Sequence, residues 1–220
     1  MSTTDQDASQ LPSEEELQAW FTGKHFTYKD YVSNKIPHWA KVLGPLRQLD
    51  LEILEIGALE GRSAIFFLNY LPKSRVTCID PFPRDLEAVF DGNLSEFSER
   101  LEKLRAYSLP TLIRLRQKER RFDLIYIDGD HRREAVMIDS LLSWPLLKQG
   151  GILIWDDYVY KEGGPLPERP APAIDGFLVA HADEYEELHR GKQLIVRKIV
   201  ELPMPKLRVK VDTLEGRAPR

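Results

Sequence analysis

The chain has 220 residues, 42% of them hydrophobic, which is enough for one substantial core with extensions. Its 31 Lys and Arg against 35 Asp and Glu give a net charge of -4, with no basic block beyond the short runs 119–121 and 131–133, which argues against nucleic acid as the main partner. No apolar run approaches the roughly 20 residues of a membrane span, the polar and acidic start is unlike a secretory signal, and the single Cys78 rules out an intrachain disulfide, so a soluble cytoplasmic protein with no membrane partner is the default expectation.

In chain order, residues 1–12 are polar and expected to be disordered. Residues 13–46 form a helical N-terminal lid or extension, opened by Ser13 as a cap with Glu14–Glu16 in the first turn. Its aromatic residues Trp20, Phe21, Phe26, Tyr28, Tyr31 and Trp39 are more often packing than recognition when they lie on helices. From Leu51 strands and helices alternate. Strands are expected at Leu51–Ile56, Arg75–Ile79, Arg105–Tyr107, Phe122–Ile127 and Gly151–Trp155, and helices at Gly61–Tyr70, Leu94–Leu104, Leu109–Gln117 and Arg133–Leu142. That alternation predicts an α/β fold with a Rossmann-like, doubly wound, mostly parallel sheet. After a Pro/Gly-rich loop at 161–173 and a helix at Ala173–Ala182, short strands at Tyr185–Leu188 and Gln193–Ile199 are close enough to pair as a hairpin. One hairpin strand then runs antiparallel to the rest, making a seven-stranded sheet within a domain spanning 47–200, followed by a tail at 201–220.

Two features suggest a ligand site. Glu55-Ile56-Gly57-Ala58-Leu59-Glu60-Gly61-Arg62-Ser63 links the first strand to the first sheet helix, and its glycines permit a sharp turn and close approach of a ligand. The helix start offers N–H groups to a polar or anionic group. The spacing matches neither a dinucleotide-binding fingerprint nor a phosphate-binding loop. Asp80 ends the second strand, 25 residues after Glu55, where an acid can accept hydrogen bonds from a ribose diol; the plainer alternative is glycines that serve packing and an aspartate that caps a turn before Pro81. The second feature is Phe122–Tyr158. Two apolar runs there end in Asp128, Asp130 and His131, and in Asp156 and Asp157, where ligands bind beyond the carboxyl ends of parallel strands.

EIGALEGRS, CIDPF, IDGDHRREAV and LKQGGILIWDDY, in this order, resemble class I S-adenosylmethionine (SAM) dependent methyltransferases, and within them the metal-dependent small-molecule O-methyltransferase branch of macrocin, novobiocin-sugar and catechol type. The resemblance runs from about Leu51 to Ile199. It implies that Glu55, Gly57 and Gly61 line a SAM pocket, that Ser63 starts the helix over the carboxylate end, that Asp80 binds the ribose and that Ser108 contacts adenine. It further implies that Asp128, Asp156 and Asp157 hold a divalent cation, and hard oxygen ligands suit Mg²⁺. A hydroxyl acceptor must lose its proton. His131 is the first choice of base, histidine being the side chain that ordinarily titrates near neutrality, and Asp128 is the second. Asp130 reads as a helix cap or a supporting acceptor.

The activity so implied is transfer of methyl from SAM to a hydroxyl of a small molecule, a natural-product sugar or aromatic, by a chain that can form a homo-oligomer. The alternatives are a recruited enzyme of other biosynthetic chemistry on the same scaffold, or a nonenzymatic SAM-binding partner that would not need all three aspartates.

Overall fold

The computed structural model describes residues 11–204, so nearly all of the expected disordered start and most of the tail lie outside the described residues. Seven strands, β1 (Glu52–Ile56), β2 (Arg75–Asp80), β3 (Leu101–Arg105), β4 (Phe122–Ile127), β5 (Leu147–Trp155), β6 (Tyr185–Arg190) and β7 (Leu194–Lys198), form one sheet in the order β3-β2-β1-β4-β5-β7-β6. β1 and β4 pair in parallel, as do β4 and β5; β7 runs antiparallel to both β5 and β6. The strand order reverses between β1 and β4, the place where open α/β sheets bind their ligands. The expected hairpin is present, with a shorter connection than the sequence suggested because β6 continues to Arg190.

Register carries this topology to the site. Ile56 stands beside Ile127, Ile127 beside Trp155, and Trp155 beside Leu194. The residues that leave these strands at that edge are therefore Gly57, Asp128 and Asp156, with Gln193 entering β7 at the same end. Four separate segments of sequence thus deliver their chemistry to one end of the sheet.

Two compact units are distinguished. The first holds the residues up to Leu51, Leu59–Val76 and Phe82–Glu102; the second holds Glu52–Ala58, Thr77–Pro81 and the chain from Lys103 onward. In the first unit, α1 (Glu14–Phe21) begins with a reciprocal cap: the Glu16 N–H donates to the Ser13 hydroxyl (3.1 Å) and the Ser13 N–H to the Glu16 carboxylate (2.8 Å). α2 (Ile36–Leu43) carries Pro37 in its first turn, where the missing N–H costs nothing. Trp39 on α2 packs against Phe66 and Phe67 of α3 (Arg62–Tyr70), with ring centroids 5.2 and 5.1 Å apart, and Tyr70 stacks on Phe66. These four side chains are fully buried, and burial of each apolar ring contributes roughly 1.5–3 kcal/mol. Trp20 meets Phe66 edge-on, while Tyr28 and Tyr31 stay exposed. α4 (Leu86–Leu94) completes this unit's helices.

In the second unit, α5 (Ser108–Gln117), α6 (Arg133–Ser143) and α7 (Ala171–Ala180) accompany the sheet, and the core joins Leu54, Ile125, Ile127, Leu153, Trp155 and Phe177. The Trp155 indole N–H donates to Ser140 Oγ (2.8 Å), which places that tryptophan in the core between sheet and helix. At the far end of β7, Lys198 is wholly buried, its ammonium donating to the carbonyls of Trp144 (3.0 Å) and Leu147 (2.8 Å). No helix among the described residues is long and apolar enough to cross a membrane.

The third strand departs from expectation. The helix expected at Leu94–Leu104 ends at Leu94; a short 3-10 turn follows, and the strand is Leu101–Arg105 rather than Arg105–Tyr107. Leu94, Phe97, Leu101 and Leu104 recur at helical spacing, so periodicity alone favours a helix. Just before the strand, the Arg100 guanidinium donates to the carbonyls of Ser74 and Leu68 (both 3.0 Å) while its own carbonyl accepts the Val76 N–H (2.8 Å).

Candidate active site

At the end of β1 the chain turns through Gly57 (φ +88°), whose N–H donates to the Ile79 carbonyl (2.9 Å). A Cβ at Gly57 would lie 2.1 Å from the Asp128 carbonyl oxygen. Gly57 is thus required both by its backbone conformation and by the close approach of the β1 and β4 ends. Asp80, buried at the end of β2, accepts the Ala58 N–H on Oδ2 (2.9 Å), so its carboxylate braces the turn after Gly57. Glu55 is fully buried on β1 and accepts a hydrogen bond from the Cys78 thiol (3.3 Å). Burial, and then the charge of Glu55, push that thiol well above its ordinary pKa and keep it protonated and unreactive. Glu55, Gly57 and Asp80 therefore sit together at the ends of β1 and β2.

Beside them, one oxygen of Asp128, one oxygen of Asp157 and a ring nitrogen of His131 all lie within 4.8 Å of one another. All three residues are half-buried. His131 Nδ1 is 3.1 Å from Asp157 Oδ2. The Tyr126 hydroxyl donates to Asp128 Oδ2 (2.7 Å) from two residues back on β4, the same face of the strand. Burial and the neighbouring charges of Asp128 and Asp156 drive the Tyr126 phenol well above its usual pKa, so it stays a donor to that carboxylate. Asp156 lies outside this cluster: it is buried, and its carboxylate accepts a hydrogen bond from the Gln193 amide. Strand neighbours point to opposite sides, and Asp156 still follows the ladder, its N–H bonded to the Ile127 carbonyl (3.0 Å), so Asp156 and Asp157 diverge.

Two carboxylates and an imidazole this close form a donor set that fits a divalent cation, which relieves the mutual repulsion of the carboxylates. A small cavity here is lined by Gly129, His131, Trp155, Asp156, Asp157 and Ile174. The Tyr160 ring tilts against His131 with centroids 5.1 Å apart. Asp130 also lines this cavity and holds the N–H and guanidinium of Arg132, and that hydrogen bonding keeps its carboxyl below the usual range.

Ser108, Gly61 and Ser63 are the remaining expected residues. Ser108 opens α5, and its side chain hydrogen-bonds Asp139, a buried acid on α6 that the sequence reading did not single out. Burial pushes the Asp139 carboxyl up to about 6, partly offset by the Ser108 bond. Gly61 (φ +85°) is the left-handed cap of α3 and Ser63 lies buried in its first turn; both belong to the first unit. Tyr126 and Gln193 were also missed. Tyr126 was legible as the same-face neighbour of Asp128, whereas Gln193 meets Asp156 across 37 residues of sequence and leaves no local signal.

Comparison with known proteins bears on the fold. Residues 54–158 match the family model of a methyltransferase domain. An uncharacterised protein of Acanthamoeba polyphaga mimivirus is 28% identical over 115 residues, 50% of this chain and 52% of that protein, so the chain spans about half the length of that relative. Among solved structures, the MycE methyltransferase of mycinamycin biosynthesis, in complex with Mg, S-adenosylhomocysteine (SAH) and mycinamycin VI, superposes with a TM-score of 0.66 at 17% identity, over 88% of this chain and 56% of that one. An O-methyltransferase from Bacillus cereus in complex with SAH gives 0.62 at 19% identity, over 86% and 93%. The family match over residues 54–158 and the sheet topology together show that the chain shares the fold of a methyltransferase domain.

Proposed function

We propose that the protein transfers the methyl group of SAM to a hydroxyl of a small molecule, with a divalent cation, Mg²⁺ by the preference of carboxylate oxygens, held by Asp128 and Asp157. The single observation that carries this reading is the gathering of Asp128, His131 and Asp157 within 4.8 Å at the carboxyl ends of β4 and β5. In the same proposal Glu55, Gly57 and Asp80 receive the cofactor, with Asp80 on the ribose hydroxyls. Gly61, Ser63 and Ser108 keep the cofactor roles that the sequence resemblance implies. The absence of a concentrated basic patch in the sequence, together with the acidic cluster, favours a small acceptor over nucleic acid.

When bound, the cation supplies positive charge that positions an acceptor oxygen and lowers its pKa. The chain's own groups do the rest. With His131 Nδ1 turned to Asp157, Nε2 is the nitrogen left to take the hydroxyl proton, and the Asp157 carboxylate stabilises the imidazolium that results. Tyr126 fixes the orientation of Asp128 through its hydroxyl. Asp156, held by Gln193, acts as a buried brace and leaves Asp157 to face the acceptor. The sulfonium of SAM needs no general acid, and the site provides base and charge.

The test is transfer of labelled methyl from SAM to a panel of catechols and sugar hydroxyls, with Mg²⁺ and then with excess chelator. The proposal predicts product that chelator abolishes and that Asp128→Asn and Asp157→Asn each lower by about 100-fold or more. Full activity in chelator would remove the cation from the mechanism, and an unchanged rate and pH profile in His131→Ala would remove the base.

A further inference from the structure

Glu60 is almost completely buried in the turn that leads into α3, an unusual place for a carboxylate unless it is paired. Among the described residues, the hydrogen bonds to its carboxylate come from one short stretch of the N-terminal segment. Oε1 accepts the Thr27 N–H (2.6 Å) and the Thr27 hydroxyl, and Oε2 accepts the Tyr28 N–H (3.2 Å). The Glu60 carbonyl accepts from the Asn93 amide (2.9 Å), which also donates to the His25 carbonyl (2.7 Å) and accepts the His25 N–H (2.8 Å). Next along the turn, the Arg62 guanidinium lies 3.7 Å over the Phe26 ring and 3.4 Å from Asp30 Oδ2. The segment His25–Asp30 therefore lies along the turn Glu60–Arg62 as a strap, clamped at both ends and in the middle.

The turn needs such holding. Leu59 has φ +48°, a conformation that costs a side-chain-bearing residue of order 1–3 kcal/mol, and Gly61 follows at φ +85°. Gly61 is packed so closely on Leu94 that a Cβ would lie 2.5 Å from its Cδ1. A strained backbone persists only where its surroundings over-determine it, and here the surroundings are the strap and α4.

We propose that Glu60 is a positioning residue that couples cofactor binding to the N-terminal segment: strap and turn order together, so the cofactor binds tightly only when His25–Asp30 is in place. This rests on the reading of the protein as a SAM-dependent enzyme whose cofactor uses the turn before α3. Coupling is reciprocal, so bound cofactor must in turn protect the strap from opening.

The experiment titrates SAH into the full chain by calorimetry, for the wild type, Glu60→Gln and Thr27→Val, and follows amide hydrogen exchange of peptides covering residues 24–31 with and without saturating SAH. The expected result is a Kd raised about tenfold or more in Glu60→Gln and less in Thr27→Val, a double variant no worse than Glu60→Gln alone, and slower exchange of the strap in SAH-bound wild type. The exchange measurement needs no variant, so it decides the matter even where Glu60→Gln does not fold. In turnover, Thr27→Val raises KM for SAM and leaves kcat unchanged. Wild type that binds SAH with no protection of residues 24–31, or folded variants that bind it equally well, overturns the coupling and leaves the enzyme assignment standing. Wild type that binds no SAH overturns the assignment itself.

Discussion

Asp139 is 2% exposed, and burial raises its carboxyl from 3.8 to about 6. An acid whose pKa is higher in the fold is favoured there in its neutral form. That contribution is fully present below about pH 3.8 and is lost as pH rises through about 6. Asp139→Asn keeps an acceptor for Ser108 and removes the charge. It is expected to stabilise the protein by roughly 1–3 kcal/mol at pH 7.5, with the gain gone by pH 4, as read from thermal unfolding across that range. A variant less stable than wild type at pH 7.5 contradicts this account. Nothing in the sequence around Asp139 announces it, because its environment is made by α5 and the β4 end. Asp128 and His131 were different: a strand of apolar residues ending in acids is readable directly. Asp157 was legible as half of a pair, but which aspartate of that pair faces the cluster depends on Gln193, which only the antiparallel return of β7 brings near.

At the scale of elements, β4 and β5 were legible because both faces of each are covered, giving unbroken apolar runs. β3 was not, because an edge strand buries less and its apolar spacing matches a helix. The turn after β1 was visible as glycines, yet its reason was not: Gly57 is fixed by the approach of the Asp128 backbone. Gly57→Ala meets that carbonyl oxygen at 2.1 Å in a left-handed conformation, and is expected to cost roughly 3 kcal/mol or more in denaturant unfolding. Gly61→Ala, likewise in a left-handed conformation, meets side-chain atoms of Leu94 (2.5 Å) and Phe90 (3.2 Å) rather than backbone, and is expected to cost less. On β7, burial pulls the Lys198 ammonium down from 10.5 to about 8. The unfolded chain then binds the proton more tightly than the fold between those values, so this group's contribution to stability rises with pH from about 8 to 10.5. The stability difference between wild type and Lys198→Met should therefore shift in favour of wild type from pH 8 to pH 10. A difference constant with pH would show that Lys198 does not titrate in this window.

For the molecule as a whole, the fold class, the seven-stranded sheet and its antiparallel return follow from alternation and connection length, which are global properties of the sequence. The division into two units does not, because the chain passes from one to the other at Leu51, Ala58, Val76, Pro81 and Glu102, and no composition shift marks these points. The functional account joins residues far apart in sequence, Glu55 through Asp157, into one cofactor-and-acceptor chemistry, and it stands or falls on the cofactor. Calorimetric titration of SAM and SAH into the full wild-type chain tests it most directly. The account predicts one-to-one binding with a Kd between roughly 1 μM and 1 mM. The absence of any binding heat for either ligand, with the protein shown to be folded, would contradict it.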